Sequence, residues 1–137
     1  MRVPTAFVTV DVLLFKAIES INYLLLIERK NEPFKNCWAL PGGFVEQHEN
    51  LVDAAKRELQ EETNITIHDL QQLGAFGKPF RDPRGHVISI AYFGFVSKET
   101  EAVAADDAKA VRWFSVNELP EMAFDHLEII NLALTKI

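Results

Sequence analysis

Two apolar, β-branched runs open the chain, at residues 7–15 and 23–27, and a polar stretch containing Glu19-Ser20 and Asn22 separates them. Runs of that length bounded by turn residues predict two strands joined by a short connection. Residues 38–40 form a brief extended segment stopped by Pro41-Gly42-Gly43. Over 51–63 the period changes: Val52, Ala55 and Leu59 recur at helical spacing, which predicts a helix with Asn50 as N-cap and Asp53 completing a variant capping box. Asn64 is expected to close it in the left-handed conformation. Further strands are predicted at 73–76, 87–96 and 110–114, with loops rich in Pro, Gly and Asp between them. A last helix is predicted from His126, where Asp125 and Glu128 make a second capping-box pair and Leu127, Ile130, Leu134 and Ile137 fall on one stripe. Strands carrying one internal and one terminal helix predict an α+β fold, a mixed sheet with helices on its faces.

A length of 137 residues, with 48% hydrophobic and 25% charged, suits one domain over 1–137 with a real core. Nothing approaches a membrane-spanning run and the start lacks the features of a signal peptide, so a cytoplasmic protein is expected. The single cysteine, Cys37, stands apart from any histidine in sequence and reads as a packing residue. A net charge of −6 argues against a nucleic-acid backbone as partner. A negatively charged small ligand would therefore need local cations, either metal or clustered arginine.

The predicted helix at 51–63 carries the candidate chemistry. Glu58, Glu61 and Glu62 stand at i, i+3 and i+4, placing three carboxylates on about a third of one helix face. Like charges at these spacings repel, and within the helix only Arg57, four before Glu61, is spaced to relieve them. The apolar stripe lies to one side, so the helix can pack on a sheet while presenting its acidic face to a cleft. Mg²⁺ or Mn²⁺ would resolve the repulsion, because such hard cations take carboxylates, waters and phosphate oxygens. The alternative is a solvated acidic face.

Spacing favours the first reading. Gly43, Glu49, Arg57-Glu58, Leu59, Glu61-Glu62 and Ile65 resemble the Nudix box, Gly-x5-Glu-x7-Arg-Glu-apolar-x-Glu-Glu-x-Gly-apolar, with Asn64 standing in for the last glycine. That glycine takes positive φ, which asparagine tolerates at some cost. The resemblance implies a Nudix α/β/α sandwich with a mixed sheet and the box as loop–helix–loop. It also implies Glu58 and Glu62 as principal metal ligands, Glu61 as a further ligand or water orienter, the Gly42 carbonyl as a backbone ligand, and Arg57 and Glu49 as partners that fix the carboxylates. The implied reaction is water attack on a pyrophosphate, assisted by Mg²⁺ or Mn²⁺.

A second segment, Arg81-Asp82-Pro83-Arg84-Gly85-His86, gathers cations in a turn before the strand at 87–96. Arg81 and Arg84 could each grip a phosphate with two hydrogen bonds, or could pair with Asp82 in an ordinary turn. The stretch is similar to a motif of bacterial and archaeal ADP-ribose pyrophosphatases, as are residues 40–46 and 119–126. This resemblance implies a nucleoside diphosphate substrate, ADP-ribose foremost, split to AMP and ribose 5-phosphate, with Arg81, Asp82, Arg84 and Phe44 on the substrate. Family analogy adds a homodimer. Another nucleotide sugar, a dinucleotide or a nucleoside triphosphate remains an alternative substrate. A sensor without catalysis is a further alternative, since related regulators of NAD metabolism share these segments; they also carry a DNA-binding domain, for which this chain is expected to have no room. Phe44, Phe80 and Tyr92 are each candidates to stack on a base or to fill the core. The four histidines show no metal-ligand spacing, so no zinc site is expected. For the general base, Glu61 and the loop at 97–109, with Glu99, Glu101, Asp106 and Asp107, are the candidates.

Overall fold

The computed structural model describes residues 1–105 and 108–137. Asp106 and Asp107, two of the candidate bases, lie outside the described residues.

Strand β1 (Phe7–Ile18) turns through Glu19 and Ser20 into β2 (Ile21–Arg29). Both turn residues have positive φ, 50° and 69°, the conformation that lets a two-residue loop follow the twist of its strands. The short strands β3 (Trp38–Ala39) and β4 (Gly42–Phe44) follow, then α1 (Leu51–Thr63), β5 (Gln71–Phe76), β6 (Val87–Phe95), β7 (Ala108–Ser115) and α2 (His126–Leu134). Among the described residues, seven strands make one sheet in the order β3-β2-β1-β6-β5, with β4 also on β1 and β7 on β2. The β1–β6 pair is parallel and the rest are antiparallel, so the sheet is mixed as expected.

β1 lies at the centre and is buried from Thr9 to Lys16. Its side chains alternate between two cores, as the period of a strand requires. Val10, Val12 and Leu14 pack with Ala54, Ala55 and Leu59 of α1, together with Leu25, Ile90 and Tyr92. Leu13 and Phe15 pack with Ile129, Ile130 and Ala133 of α2, together with Leu24, Leu26 and Ala91. The product is a helix–sheet–helix sandwich. Tyr92 thus belongs to the core, whereas Phe80 stands almost fully exposed. No helix among the described residues is long and apolar enough to cross a membrane.

α1 has the bounds that the sequence predicts, and Asn64 closes it at φ 61°, ψ 22°, with its N–H on the Gln60 carbonyl. Neither capping box forms. Asn50 makes no side-chain cap bond, and the Asp125 carboxylate, the other intended cap, is taken by Arg81 instead. Of the stripe expected on α2, Ile130 is buried and Leu134 packs against the core, while Leu127 and Ile137 are exposed; His126, Ile129 and Ala133 complete the buried face. Cys37, just before β3, packs beside Ile27, Ala39 and Ala123.

Candidate active site

The turn between β3 and β4 brings Gly42 and Gly43 against the acidic face of α1, and space there admits only glycine. A Cβ on Gly43 would lie 2.5 Å from Glu58 Oε2, and one on Gly42 would lie 2.1 Å from the Val10 carbonyl oxygen. The second obstacle is backbone and cannot swing aside. Gly42→Ala is therefore expected to destabilise the fold by about 3 kcal/mol, as overpacking does; chemical denaturation measures it, and a wild-type midpoint would contradict the steric argument.

Arg57 organises the carboxylates. Its Nε and Nη2 donate to the two oxygens of Glu49 at 2.7 and 2.9 Å, and Nη1 reaches Glu58 at 2.8 Å and Glu61 at 3.3 Å. Nη2 also donates to the Phe44 carbonyl at 3.2 Å, so the fork pins the loop that leads into α1. One guanidinium thus faces four glutamates, Glu46, Glu49, Glu58 and Glu61, and the repulsion among them is only partly relieved. Burial pushes the Glu58 carboxyl above its ordinary range, opposed by Arg57 and reinforced by the neighbouring Glu61 and Glu49. Glu62, 7% exposed, accepts the Gly42 N–H at 2.8 Å. The predicted metal set, Gly42, Glu58, Glu61 and Glu62, is therefore brought to one place.

Glu49 behaves oppositely to Glu58: the Arg57 fork, aided by the Glu46 N–H, holds it down to about 2 from an ordinary 4.5. A carboxylate depressed in the fold adds stability above its unfolded value, and that stability is lost as pH falls through the folded value. Apo-protein melting temperature is expected to fall below about pH 4.5, and Glu49→Gln should flatten the part of the decline that this residue contributes. An identical acid limb in the variant would contradict that assignment.

The loop between β5 and β6 supplies the opposite wall. Arg81 is buried, with a side chain 4% exposed, and grips Asp125 with Nε and Nη2 at 2.9 and 2.6 Å while Nη1 donates to the Val87 carbonyl. The fork proposed for a phosphate is thus consumed in joining the loop to α2. Arg84 is more open at 39% and pairs with buried Asp82, the ordinary-turn pairing. Its guanidinium lies 5.0 Å from the Phe44 ring and 5.3 Å from the Phe124 ring. Arg29 approaches Phe124 from the end of β2 at 5.0 Å.

These parts line one cavity of about 560 Å³. Its lining combines the carboxylates Glu58, Glu61 and Glu62 with a cationic and aromatic group, Arg84, Phe44, Phe124 and Arg29, and Arg81 and Asp82 are also on the wall. Glu49 does not line it and acts through Arg57. Glu99 and Glu101 are exposed and not among the lining residues. The loop that carries them is strapped down: Lys16 donates to the Lys98 and Thr100 carbonyls, and the Val103 and Ala105 N–H groups bond the Thr63 and Glu62 carbonyls.

Asp11, Ser89 and His126 form a buried polar cluster, with Asp11 and His126 on the cavity wall, that the sequence reading leaves without a role. One signal was available, a lone aspartate inside the apolar run at 7–15.

The family described as NUDIX domain matches residues 6–133. A curated relative, the ADP-ribose pyrophosphatase of Methanocaldococcus jannaschii, is 51% identical over 113 residues, 82% of this chain and 66% of that protein. The ADPR responsive transcriptional repressor NtrR of Acinetobacter baylyi is 33% identical over 98% of this chain and 55% of its own length. The chain thus spans at most about two thirds of these relatives. Among solved structures, the NUDIX domain of Shewanella oneidensis NrtR complexed with ADP ribose superposes with a TM-score of 0.90 at 30% identity, covering 98% of this chain and 90% of that one. A MutT/nudix family protein from Enterococcus faecalis gives 0.92 at 35%, covering 99% and 63%.

Proposed function

The chain belongs to the Nudix family, and we propose that, as one domain over 1–137, it hydrolyses the pyrophosphate of a nucleoside diphosphate derivative, ADP-ribose foremost, in the cytoplasm. The observation that carries this reading is one cavity lined both by three glutamates and by an arginine set over two aromatic rings. A diphosphate flanked by sugars has that distribution of needs, metal for its charge and a flat cationic surface beyond.

A divalent cation fits the acidic part of this lining. Its donors are hard oxygens, Glu58 is a half-buried carboxyl next to like charge, and the missing Cβ of Gly43 lets that carboxylate lie close against the backbone of the turn. Mg²⁺ and Mn²⁺ take such oxygen donors together with waters and substrate oxygens. Glu58, Glu62, Glu61 and the Gly42 carbonyl would hold it. When bound, the cation would neutralise phosphate oxygens and acidify the attacking water.

The chain's own groups do the rest. Glu49 and Arg57 fix the rotamer of Glu58, and Arg84 orients the substrate. Glu61, with a side chain 41% exposed at the cavity, is the described carboxylate best placed to take the water's proton. The water oxygen bonds to one phosphorus as the bridging P–O bond breaks, and ADP-ribose yields AMP and ribose 5-phosphate.

The test is a panel of ADP-ribose, other nucleotide sugars, dinucleotides and triphosphates with Mg²⁺ or Mn²⁺, with products identified. AMP plus ribose 5-phosphate supports the reading. Selective cleavage of another compound replaces the substrate, and turnover undiminished by chelator removes the metal. The likeness to an ADPR responsive transcriptional repressor and to a NUDIX domain complexed with ADP ribose supports a second reading, ADP-ribose sensing without turnover, which tight binding with no product in either metal would favour. Sedimentation tests the homodimer that the reading includes.

A further inference from the structure

Asp11 is flanked along β1 by Val10, Val12 and Leu13, all fully buried, and a carboxylate in such surroundings needs partners. Strand parity turns it toward α2, the side that Leu13 and Phe15 share. On the parallel neighbour β6, where Thr9 is level with Ser89, the buried Ser89 hydroxyl donates to Asp11 Oδ2. On the other side His126 Nε2 stands 3.5 Å from Asp11 Oδ1. The second nitrogen, Nδ1, accepts the Leu40 N–H at 3.1 Å. A ring nitrogen that accepts an N–H bears a lone pair, so the imidazole proton sits on Nε2, facing the carboxylate.

Leu40 begins the turn that carries Gly42. That turn is tied to β1, whose Val12 N–H donates to the Pro41 carbonyl at 2.8 Å, and to α1 through Glu62 and the Gly42 N–H. Toward α2, Leu40 packs with Ile129, Ile130 and Ala133, and among the described residues the hydrogen bond that joins the turn to α2 is the one from the Leu40 N–H to His126. Both glycine contacts are too tight to absorb a shift of the turn.

We infer that His126 is a positioning residue for the metal end of the site: Asp11 and Ser89 fix its tautomer and orientation, and its Nδ1 anchors the start of the Leu40–Gly43 turn from the α2 side, fixing where Gly42 meets Glu62 of α1. This rests on the reading that Glu58, Glu62 and Gly42 take a divalent cation. The arrangement resembles the way hydrogen bonds behind metal ligands set their orientation, and losing such a support costs about 10- to 100-fold in metal affinity or activity.

Nitrogen-15 NMR of the histidines in the intact protein, with His126 assigned by mutation, is expected to find the proton on Nε2. His126→Leu is expected to weaken Mn²⁺ binding, followed by the free-ion electron paramagnetic resonance signal, by about 10-fold or more. With ADP-ribose it should lower kcat more than it alters KM. His126→Asn, whose amide oxygen can accept the Leu40 N–H, should recover part of both. Should His126→Leu not fold, Ser89→Ala, which leaves the imidazole in place but loosens Asp11, is expected to shift Mn²⁺ affinity in the same direction by less. A proton on Nδ1 in the wild type, or Mn²⁺ affinity indifferent to a folded His126 variant, overturns the inference alone. Failure of the wild type to bind Mn²⁺ overturns the reading of the acidic helix and this role with it.

Discussion

Glu58→Gln is expected to lower turnover of ADP-ribose by about 10³-fold, on the order of 4 kcal/mol of transition-state stabilisation, while the apo protein stays folded and melts no lower than wild type. Catalysis and stability pull this carboxylate in opposite directions. Burial raises its folded pKa above the unfolded value, so in the absence of metal its ionised form costs stability at every pH above that folded value, and protonation on acidification relieves the cost. The amide keeps the shape and removes the charge. Glu62→Gln should lose turnover similarly, since its remaining carbonyl oxygen can still accept the Gly42 N–H but is a poorer ligand. The measurement is paired: steady-state kinetics in saturating Mg²⁺ or Mn²⁺, and thermal melting in chelator. Near-wild-type turnover in both variants would remove the acidic helix from the mechanism. A large drop in apo melting temperature for Glu58→Gln would mean that its bond to Arg57 outweighs its burial.

The two arginines of the β5–β6 loop should separate cleanly, in an order that the sequence does not suggest. Removing Arg81 strands Asp125, and breaking a buried ion pair from one side costs about 3–5 kcal/mol. Arg81→Ala is therefore expected to lower melting temperature by on the order of 10 °C and to lose activity mainly through unfolding. Arg84→Lys keeps a cation for Asp82 but loses the planar face between Phe44 and Phe124, and lysine does not replace a stacked or forked arginine. It should leave melting almost unchanged and raise KM by about 10-fold, near the lower end of what one charge-assisted contact contributes. Equal stability losses in the two variants, or an unmoved KM in Arg84→Lys, would contradict the division of labour described for this loop.

Local signals were the readable part of the sequence. α1 begins and ends where apolar spacing and Asn64 put it, and its acidic face follows from helical geometry alone. The mixed sheet and the two covering helices also emerge as expected. What periodicity does not carry is which distant elements meet. Ser89 reaches Asp11 across 78 positions, and His126 reaches Leu40 across 86. Both depend on the parallel β1–β6 pairing and on the rotation of α2. The same remoteness undid the Asp125 cap: a local bond to the start of α2 lost to Arg81, 44 residues away. The stripe expected on α2 held at Ile130 and Leu134 but not at Leu127 and Ile137, which are exposed, the buried face running through His126, Ile129 and Ala133 instead.

The alternation of β1 between two cores has a further consequence for how the chain chooses its frame. Sliding β1 by one residue against its neighbours would exchange its faces. Val10 and Val12 would then leave the Ala54–Leu59 side, and the Asp11 carboxylate would enter that dry layer without Ser89 or His126. The wrong frame is thus penalised both by misplaced apolar groups and by a stranded charge. The aspartate that completes the support for the catalytic turn therefore also proofreads the alignment of the strand that carries it.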